Sequence, residues 1–202
     1  MYFYQNDLPD DVAFDESVAI DTEAMGLNNK RDRLCLVQMC SKDGDVHIVQ
    51  ILKGQQDNAV NLRKMLVDEK IQKIFHFARF DVNLLNYTFG IHVQNIYCTK
   101  IASKLVRTYT DKHGLKNLCK DILDVEISKQ EQTSDWGREE LSPEQLKYAA
   151  GDVLYLHALK ARLDEMLHRE GRFELAQRCF QTLQLISDLD LLEIPPEFLF
   201  VH

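Results

Sequence analysis

The hydrophobic positions of this chain follow two periods, and together they predict an α/β protein. Asp43 and Gly44 separate two apolar runs, and such a separation is typical of an antiparallel hairpin. Elsewhere strands alternate with helices, so we expect one mixed sheet flanked by helices. The predicted strands are residues 18–23, 34–40, 45–51, 73–77 and 96–98.

Helical spacing of apolar residues predicts the intervening elements. The clearest begins at Ser142, where Ser142-Pro143-Glu144-Gln145 has the pattern of a capping box with proline in the first turn. We expect this helix to continue to about Glu170, before Gly171. The other predicted helices cover about 60–68, about 81–90, a segment from about Lys100, and about 173–184.

Length and composition are those of a globular protein of one domain. The chain has 202 residues, of which 45% are hydrophobic and 28% charged. No apolar run approaches the roughly 18 residues of a membrane span, and residues 1–7 lack the features of a signal peptide. Five cysteines, an odd number without C-x-x-C spacing, favour buried thiols over disulfides or structural zinc. These features predict a cytoplasmic protein without a membrane role.

The net charge is −8, from 32 acidic and 24 basic residues. A protein that coats long nucleic acid neutralises many phosphates, so this balance argues against that class. It is compatible with an enzyme that binds a few phosphates through metal ions, because the acids that hold the metal contribute to the net negative charge.

Two acids lie where an apolar strand ends. Asp21 and Glu23 are two residues apart, so both carboxylates face the same side of the strand. Ligand crevices of α/β sheets lie at the carboxyl ends of strands, and hard divalent cations prefer such oxygen ligands. By itself this pair does not define a metal site.

Two later segments add further candidates. Asp81 follows a predicted strand, where an acid is most often a helix cap. Tyr148 and Asp152 are four residues apart and share one helix face. Asp152 lies among apolar residues, and because an unpaired buried acid is costly, a metal or a partner is expected there rather than solvent.

In combination, these residues resemble a known family. The order D-x-E, F-D and Y-x-x-x-D, from Asp21, Glu23, Asp81, Tyr148 and Asp152, resembles the exonuclease motifs of the DEDDy 3′–5′ exonucleases. The stretches 134–142 and 148–153 resemble the third motif of ribonuclease D, and the likeness covers about 17–165. The resemblance implies a ribonuclease H-like (DnaQ-like) fold.

The nearest pattern within that family is that of nano-RNase C, which degrades very short RNA, especially dinucleotides. The likeness is carried by residues 21–27, 32–38, 98–105 and 107–111. Ribonuclease D continues into helical HRDC domains, which this chain is too short to hold, so we expect a single exonuclease domain over residues 1–202. The resemblance also implies a ring-like homo-oligomer of eight subunits.

The family mechanism implies two divalent ions, Mg²⁺ or Mn²⁺, that clamp the attacking and leaving oxygens. Carried over to this sequence, Asp21 bridges both ions, and Glu23 and Asp152 complete the site that activates water. Asp81 assists the second ion, and Tyr148 orients the attacking water.

Substrate contacts are expected on both sides of these acids. By resemblance, Met25 and Gly26 present backbone N–H groups to the 3′ nucleotide, and Leu27 is a wedge between bases; the alternative for Leu27 is an ordinary core leucine. The residues 100–120 are rich in lysine and arginine, so they predict a cap for the 5′ phosphate, with a solvated surface as the alternative. The candidate substrate contacts here are His76, Arg79, Lys100, Ser103, Lys104, Arg107, Lys129 and Gln132.

Three functions remain open at this point. The predicted one is hydrolysis of very short RNA, especially dinucleotides, to mononucleotides, since net acidity disfavours a broad nucleic-acid surface. The second is general 3′–5′ trimming of longer RNA or DNA. The third, an inactive exonuclease-like scaffold, is disfavoured because all five motif residues are present. The apolar tail 189–202 either docks on its own domain or contacts another subunit.

Overall fold

Six strands form one mixed sheet in the computed structural model of the chain, which describes residues 1–127 and 134–200. The order across the sheet is β1-β4-β3-β2-β5-β6. Strand β3 runs antiparallel to both β2 and β4, and the other neighbouring pairs are parallel. The strands are β1 (Tyr2–Gln5), β2 (Ser17–Ala24), β3 (Leu34–Ser41), β4 (Val46–Gln50), β5 (Gln72–Phe75) and β6 (Ile96–Cys98).

Eight helices lie in the described parts of the chain and surround this sheet. A short 3-10 turn at Gln56–Asn58 precedes the first of them. The helices are α1 (Val60–Val67), α2 (Ala78–Phe89), α3 (Thr99–Val106), α4 (Leu115–Leu123), α5 (Pro143–Leu154), α6 (Leu156–Arg169), α7 (Phe173–Leu191) and α8 (Pro196–Phe200). The mixed sheet flanked by helices confirms the fold class that the periodicity predicted.

The single long helix expected from Ser142 to about Glu170 is wrong. The chain breaks at Tyr155, which separates α5 from α6. Helix α5 packs against β2, β3 and β4, whereas α6 packs mainly against α3 and α4. The apolar spacing continues across the break, from Val153 to Leu156, so periodicity alone contains no signal for the change of packing partner.

Other element boundaries also differ from the expectation. The strand expected at 73–77 ends at Phe75, and Phe77 instead adopts a left-handed conformation before α2. Helix α7 reaches Leu191, well beyond the expected end near residue 184. Strand β1 was not predicted; it is mostly exposed and is held by parallel pairing with β4, a contact between distant parts of the chain.

The core lies around the central strands β2 and β3. Val18, Ala19 and Ile20 have no exposed surface, and Leu34–Cys40 are buried throughout. The middle of β2 is buried, and its carboxyl end reaches a surface beside the carboxyl end of its parallel neighbour β5. Across the described ranges, no helix is both long and apolar enough to cross a membrane.

Candidate active site

Two carboxylates stand on one face of β2 near its carboxyl end. Asp21 and Glu23 are separated by Thr22, so the alternation of the strand directs them to the same side. Gln38, paired with Asp21 on antiparallel β3, donates from Nε2 to Oδ2 of Asp21 at 3.3 Å. The neighbouring strand therefore helps to orient the Asp21 carboxylate.

Helix α5 brings a third carboxylate, that of Asp152. The predicted capping box that starts this helix is confirmed. The backbone N–H of Gln145 donates to Ser142 Oγ at 3.2 Å, and the N–H of Ser142 donates to Gln145 Oε1 at 2.9 Å. Packing of α5 across the central strands then sets Asp152 opposite the β2 acids.

The three carboxylates are close enough to share a cation. One oxygen from each of Asp21, Glu23 and Asp152 lies within 4.8 Å of the other two. Three carboxylate ligands without sulfur or imidazole suit a hard divalent cation such as Mg²⁺ or Mn²⁺. The residues present therefore fit the metal that the sequence motif implies.

The fourth acid, Asp81, is held by a different contact. It lies in the first turn of α2, is 3% exposed, and accepts a hydrogen bond of 2.6 Å at Oδ1 from the Thr22 hydroxyl. Thr22 is the residue between Asp21 and Glu23, so this bond ties α2 to the strand that bears the other acids.

Burial and mutual repulsion raise the pKa values of these acids. The pKa of Glu23 rises to about 9, first through burial and then through the charges of Asp152 and Asp81. Burial and the same neighbours hold the pKa of Asp21 well above its ordinary value. Burial raises the pKa of Asp81 to about 7, although the Thr22 hydroxyl opposes the rise. A bound cation would relieve this repulsion.

Tyr148 lies one helical turn before Asp152 on α5. Burial, followed by the charges of Asp152 and Glu23, raises the pKa of its phenol above the ordinary value. The hydroxyl therefore keeps its proton at neutral pH and acts as a hydrogen-bond donor. Trp136, 3% exposed, packs beside it with ring centroids 6.0 Å apart, so this indole supports the phenol rather than a substrate base.

All five motif residues line one cavity of about 640 Å³. Such a volume is typical of a cleft that encloses one small ligand (about 300–1,000 Å³). The cavity is bordered by five of the predicted substrate contacts, namely Met25, Gly26, Leu27, His76 and Lys100. The structure therefore brings the acids and part of the predicted substrate site together.

The loop after β2 forms one rim of the cavity. Met25 N–H donates to the Arg33 carbonyl at 3.0 Å, which closes the loop. A Cβ on Gly26 would lie 2.3 Å from Asp32 Oδ2, so a side chain at this position would displace the Asp32 carboxylate. The Leu27 side chain is 86% exposed and lies at the cavity, so the alternative of a core leucine is wrong. Its role as a wedge stays a prediction.

His76, which follows β5, lines the same cavity, and its tautomer follows from its hydrogen-bond partner. The Thr99 hydroxyl donates to the Phe75 carbonyl at 3.1 Å, so its single proton is already used. It must therefore accept from His76 Nδ1, which lies at 2.9 Å. His76 Nδ1 thus carries a proton.

Two predicted substrate contacts are engaged elsewhere in the protein. Arg79 donates to both carboxylate oxygens of Asp190, at 2.7 and 2.8 Å, and so joins α2 to α7. Ser103 is fully buried, with its Oγ 2.9 Å from Nδ1 of His113. Neither residue borders the acid-lined cavity.

The basic face predicted on α3 is divided by the fold. Lys100 lies at the cavity, and Lys104 is exposed outside it. Arg107 is 3% exposed, forms an ion pair with Asp121, and lines a separate cavity. Lys129 and Gln132 lie outside the described residues, so their contacts with substrate stay predictions.

Thr22, Phe77 and Phe80 are among the residues that line the cavity but were not assigned to it from the sequence. Thr22 could have been found from its position between two acids, although strand alternation assigns it to the opposite face. Sequence reasoning misses Phe77 as a cavity residue because the alternation in segment 73–77 predicts a strand.

Comparison with known proteins shows what this chain is similar to. A family model described as 3′–5′ exonuclease matches residues 6–168. Ribonuclease D of Gluconacetobacter diazotrophicus is 34% identical over 181 residues, which cover 90% of this chain and 43% of that protein. The chain thus spans less than half the length of this curated relative.

Solved structures include a closer likeness. Brucella melitensis NrnC bound to pGG superimposes with a TM-score of 0.90 at 55% identity, covering 94% of this chain and 92% of that one. Brucella melitensis NrnC with bound Mg²⁺ gives a TM-score of 0.89 at 54% identity, with the same coverage. These two structures match nearly the whole length of both chains.

Proposed function

Because this chain belongs to the 3′–5′ exonuclease family, in its ribonuclease D-like branch, we propose that it hydrolyses very short RNAs, especially dinucleotides, to mononucleotides. The observation that carries the proposal is the meeting of Asp21, Glu23 and Asp152 within 4.8 Å in a cavity that Tyr148 also lines. The likeness to NrnC bound to pGG supports the choice of a dinucleotide.

The acids are proposed to hold two divalent cations, Mg²⁺ or Mn²⁺. When bound, such ions supply an activated water and stabilise negative charge on the phosphate oxygens. Asp21, Glu23 and Asp152 form the first binding position. Asp81, held by the Thr22 hydroxyl, would contribute to the second. A likeness to the Mg²⁺-bound NrnC structure supports a divalent metal here.

Tyr148 is proposed to position the attacking water by donating a hydrogen bond. Its raised pKa keeps the proton on the phenol, so it does not act as the general base. Its support by Trp136 and its place one turn from Asp152 keep the hydroxyl beside the acids. Positioning of this kind lowers the barrier because the water need not be oriented by chance.

The 3′ nucleotide is proposed to lie against the loop of Met25, Gly26 and Leu27, and the 5′ phosphate against Lys100. These groups follow the carboxyl ends of β2 and β6, the two strands that flank β5, and border the same cavity as the acids. The net charge of −8 disfavours the broad basic surface that would bind a long polynucleotide. A short substrate therefore suits this site better than a long one.

Length preference provides the decisive test. We would measure single-turnover hydrolysis of 5′-phosphorylated RNAs of two to seven nucleotides with Mg²⁺ or Mn²⁺. Fast cleavage of the dimer and slow attack on the heptamer are expected. Equal stepwise trimming of every length would favour the runner-up, a general 3′–5′ exonuclease.

Two variants control this measurement. Asp21→Asn removes one carboxylate of the cluster and should abolish hydrolysis. Asp43→Asn changes the same charge in the exposed hairpin turn after β3 and should leave every rate unchanged. Activity of the Asp21 variant equal to that of the control would disprove the assigned site.

A homo-oligomer, with eight subunits as the resemblance implies, is also proposed. Exposed apolar side chains near the end of the chain support a subunit contact: Leu192 is 69% exposed, Phe198 79% and Leu199 52%. Sedimentation-velocity analysis tests this directly. A single species of monomer mass at micromolar concentration would contradict it.

A further inference from the structure

Phe77 occupies a backbone conformation that its side chain does not favour. Its φ of 67° and ψ of 45° place it in the left-handed region immediately before α2. Such values are sparsely populated by residues other than glycine, asparagine and aspartate. Phe77 is 48% exposed, so the free energy gained by burying its ring offsets only part of the cost of the left-handed backbone. Folding alone therefore does not explain a phenylalanine here.

The exposed ring lies in the acid-lined cavity and carries a cation on one face. Phe77 and Lys100 both line this cavity, and Lys100 Nζ lies 3.9 Å from the centroid of the Phe77 ring. An ammonium group at this distance is attracted to the face of the ring and restricts its orientation. The half-exposed ring is thus presented to the cavity in a defined position.

The backbones of the two residues share an anchor. Backbone N–H groups of Ile101, Ala78, Lys100 and Phe77 face the sulfur of Cys98, which is 1% exposed, and they oppose the rise in its pKa that burial causes. Cys98 is the last residue of β6 and immediately precedes α3. The start of α2 and the start of α3 are therefore held against one buried atom, and the ring and the ammonium are positioned together.

We propose that Phe77 is a specificity-determining residue, whose ring stacks on the base at the 5′ side of the scissile bond. This inference rests on the proposed function. Aromatic rings bind bases of any sequence because every base has a π-face. We assign the ring to the 5′ side because the ammonium of Lys100, which lies over this ring, is the proposed contact of the 5′ phosphate. Two other exposed apolar residues at the cavity, Met25 and Leu27, follow β2 and lie on the rim assigned to the 3′ nucleotide.

The test uses Phe77→Leu, which keeps an apolar side chain and the strained backbone but removes the ring. We would measure kcat and KM for the 5′-phosphorylated RNA dinucleotide GG and for the same dinucleotide with an abasic 5′ ribose. For GG, kcat/KM is expected to fall by about tenfold, mainly through KM, as expected when one stacked base is lost. The abasic substrate should be cleaved by the variant and the wild type at the same rate.

Three further variants separate stacking from structural effects. Phe77→Tyr keeps a ring and should restore the wild-type kinetics. Phe77→Gly relieves the left-handed strain, so it should melt no lower than the wild type while showing the same tenfold loss on GG. Tyr87→Leu removes a ring of similar exposure, 49%, from the same helix but outside this cavity, and should change nothing.

Two results would overturn the inference. One is an equal loss on GG and on the abasic dinucleotide. The other is a loss that disappears only when the 3′ base is removed. If the wild type hydrolyses neither substrate, the proposed function fails, and GG binding measured by calorimetry with Ca²⁺ still tests the stacking. Equal affinity of wild type and Phe77→Leu in that measurement would reject it.

Discussion

The Thr22 hydroxyl donates a 2.6 Å hydrogen bond to Oδ1 of Asp81. Strand alternation turns Thr22 away from the face shared by its two acidic neighbours. One short segment of β2 therefore supplies two carboxylates to the site and orients a third that arrives on a helix. Thr22 is 5% exposed, so this contact is shielded from water.

Removal of that hydroxyl is expected to weaken the site without removing any acid. Thr22→Val keeps the shape of the side chain but removes the hydroxyl donor from the buried Asp81 carboxylate, a loss of about 1.5–3 kcal/mol for a hydrogen bond to a charged group. We expect kcat to fall by at least about tenfold and the Mg²⁺ concentration required for half-maximal rate to rise. Thr22→Ser keeps the hydroxyl and serves as the control. Equal rates for both variants would show that the bond does not matter to the reaction.

Without metal, the acid cluster should destabilise the protein as the pH rises. Folding raises the pKa of Glu23 to about 9 from an ordinary value of 4.5. The folded state therefore binds a proton more tightly than the unfolded state, and this stabilisation is lost between about pH 4.5 and pH 9. In EDTA, Glu23→Gln should show a smaller fall of Tm over this range than the wild type. Parallel curves for the two proteins would contradict the assigned shift.

Added Mg²⁺ or Mn²⁺ should reverse this penalty at neutral pH. Ions that bind only the folded state raise Tm in proportion to the logarithm of their concentration once the site is saturated. We expect a clear upward shift for the wild type and little shift for Asp21→Asn. Thermal melts in the presence and absence of each ion provide the measurement, and Asp43→Asn should respond as the wild type does.

Tyr148→Phe isolates the contribution of one hydroxyl. The ring and its packing on Trp136 remain, so Tm should change by no more than a few degrees. Loss of water positioning should reduce kcat by about a hundredfold. The phenol stays protonated in the wild type, so the shape of the pH–rate profile should be the same for both proteins. A rise in rate at high pH that the wild type shows and the variant lacks would instead identify Tyr148 as a titrating base.

The fold places Lys100 and Arg107 in different surroundings, although their spacing in the sequence predicts one shared helix face. Lys100 lines the cavity, so Lys100→Met should raise KM for a 5′-phosphorylated dinucleotide more than for the dinucleotide with a 5′ hydroxyl. Arg107 is buried against Asp121, so Arg107→Met should lower Tm and leave this preference unchanged. Steady-state kinetics on the two substrates checks both. If the Arg107 variant loses the preference for a 5′ phosphate, Arg107 belongs to the predicted 5′-phosphate cap.

Local patterns were sufficient for much of the fold. Hydrophobic periodicity located the central strands, and the Ser142–Gln145 pattern correctly located the start of α5. Periodicity failed at Tyr155, because the apolar spacing is the same on both sides of the break while the packing partners differ. It failed again at Phe77, where alternation resembles a strand but the chain enters α2 through a left-handed residue.

The sequence by itself determined which groups can do chemistry. The spacing of Asp21 and Glu23 assigns them to one face of a strand, and that of Tyr148 and Asp152 to one face of a helix. Only the tertiary structure decided that these pairs meet, that Thr22 orients Asp81, and that Arg107 is buried in an ion pair while Lys100 lines the cavity. The physical reason is range: backbone periodicity relates residues a few positions apart, whereas the distance between carboxylates 131 positions apart, Asp21 and Asp152, depends on how the sheet and α5 pack.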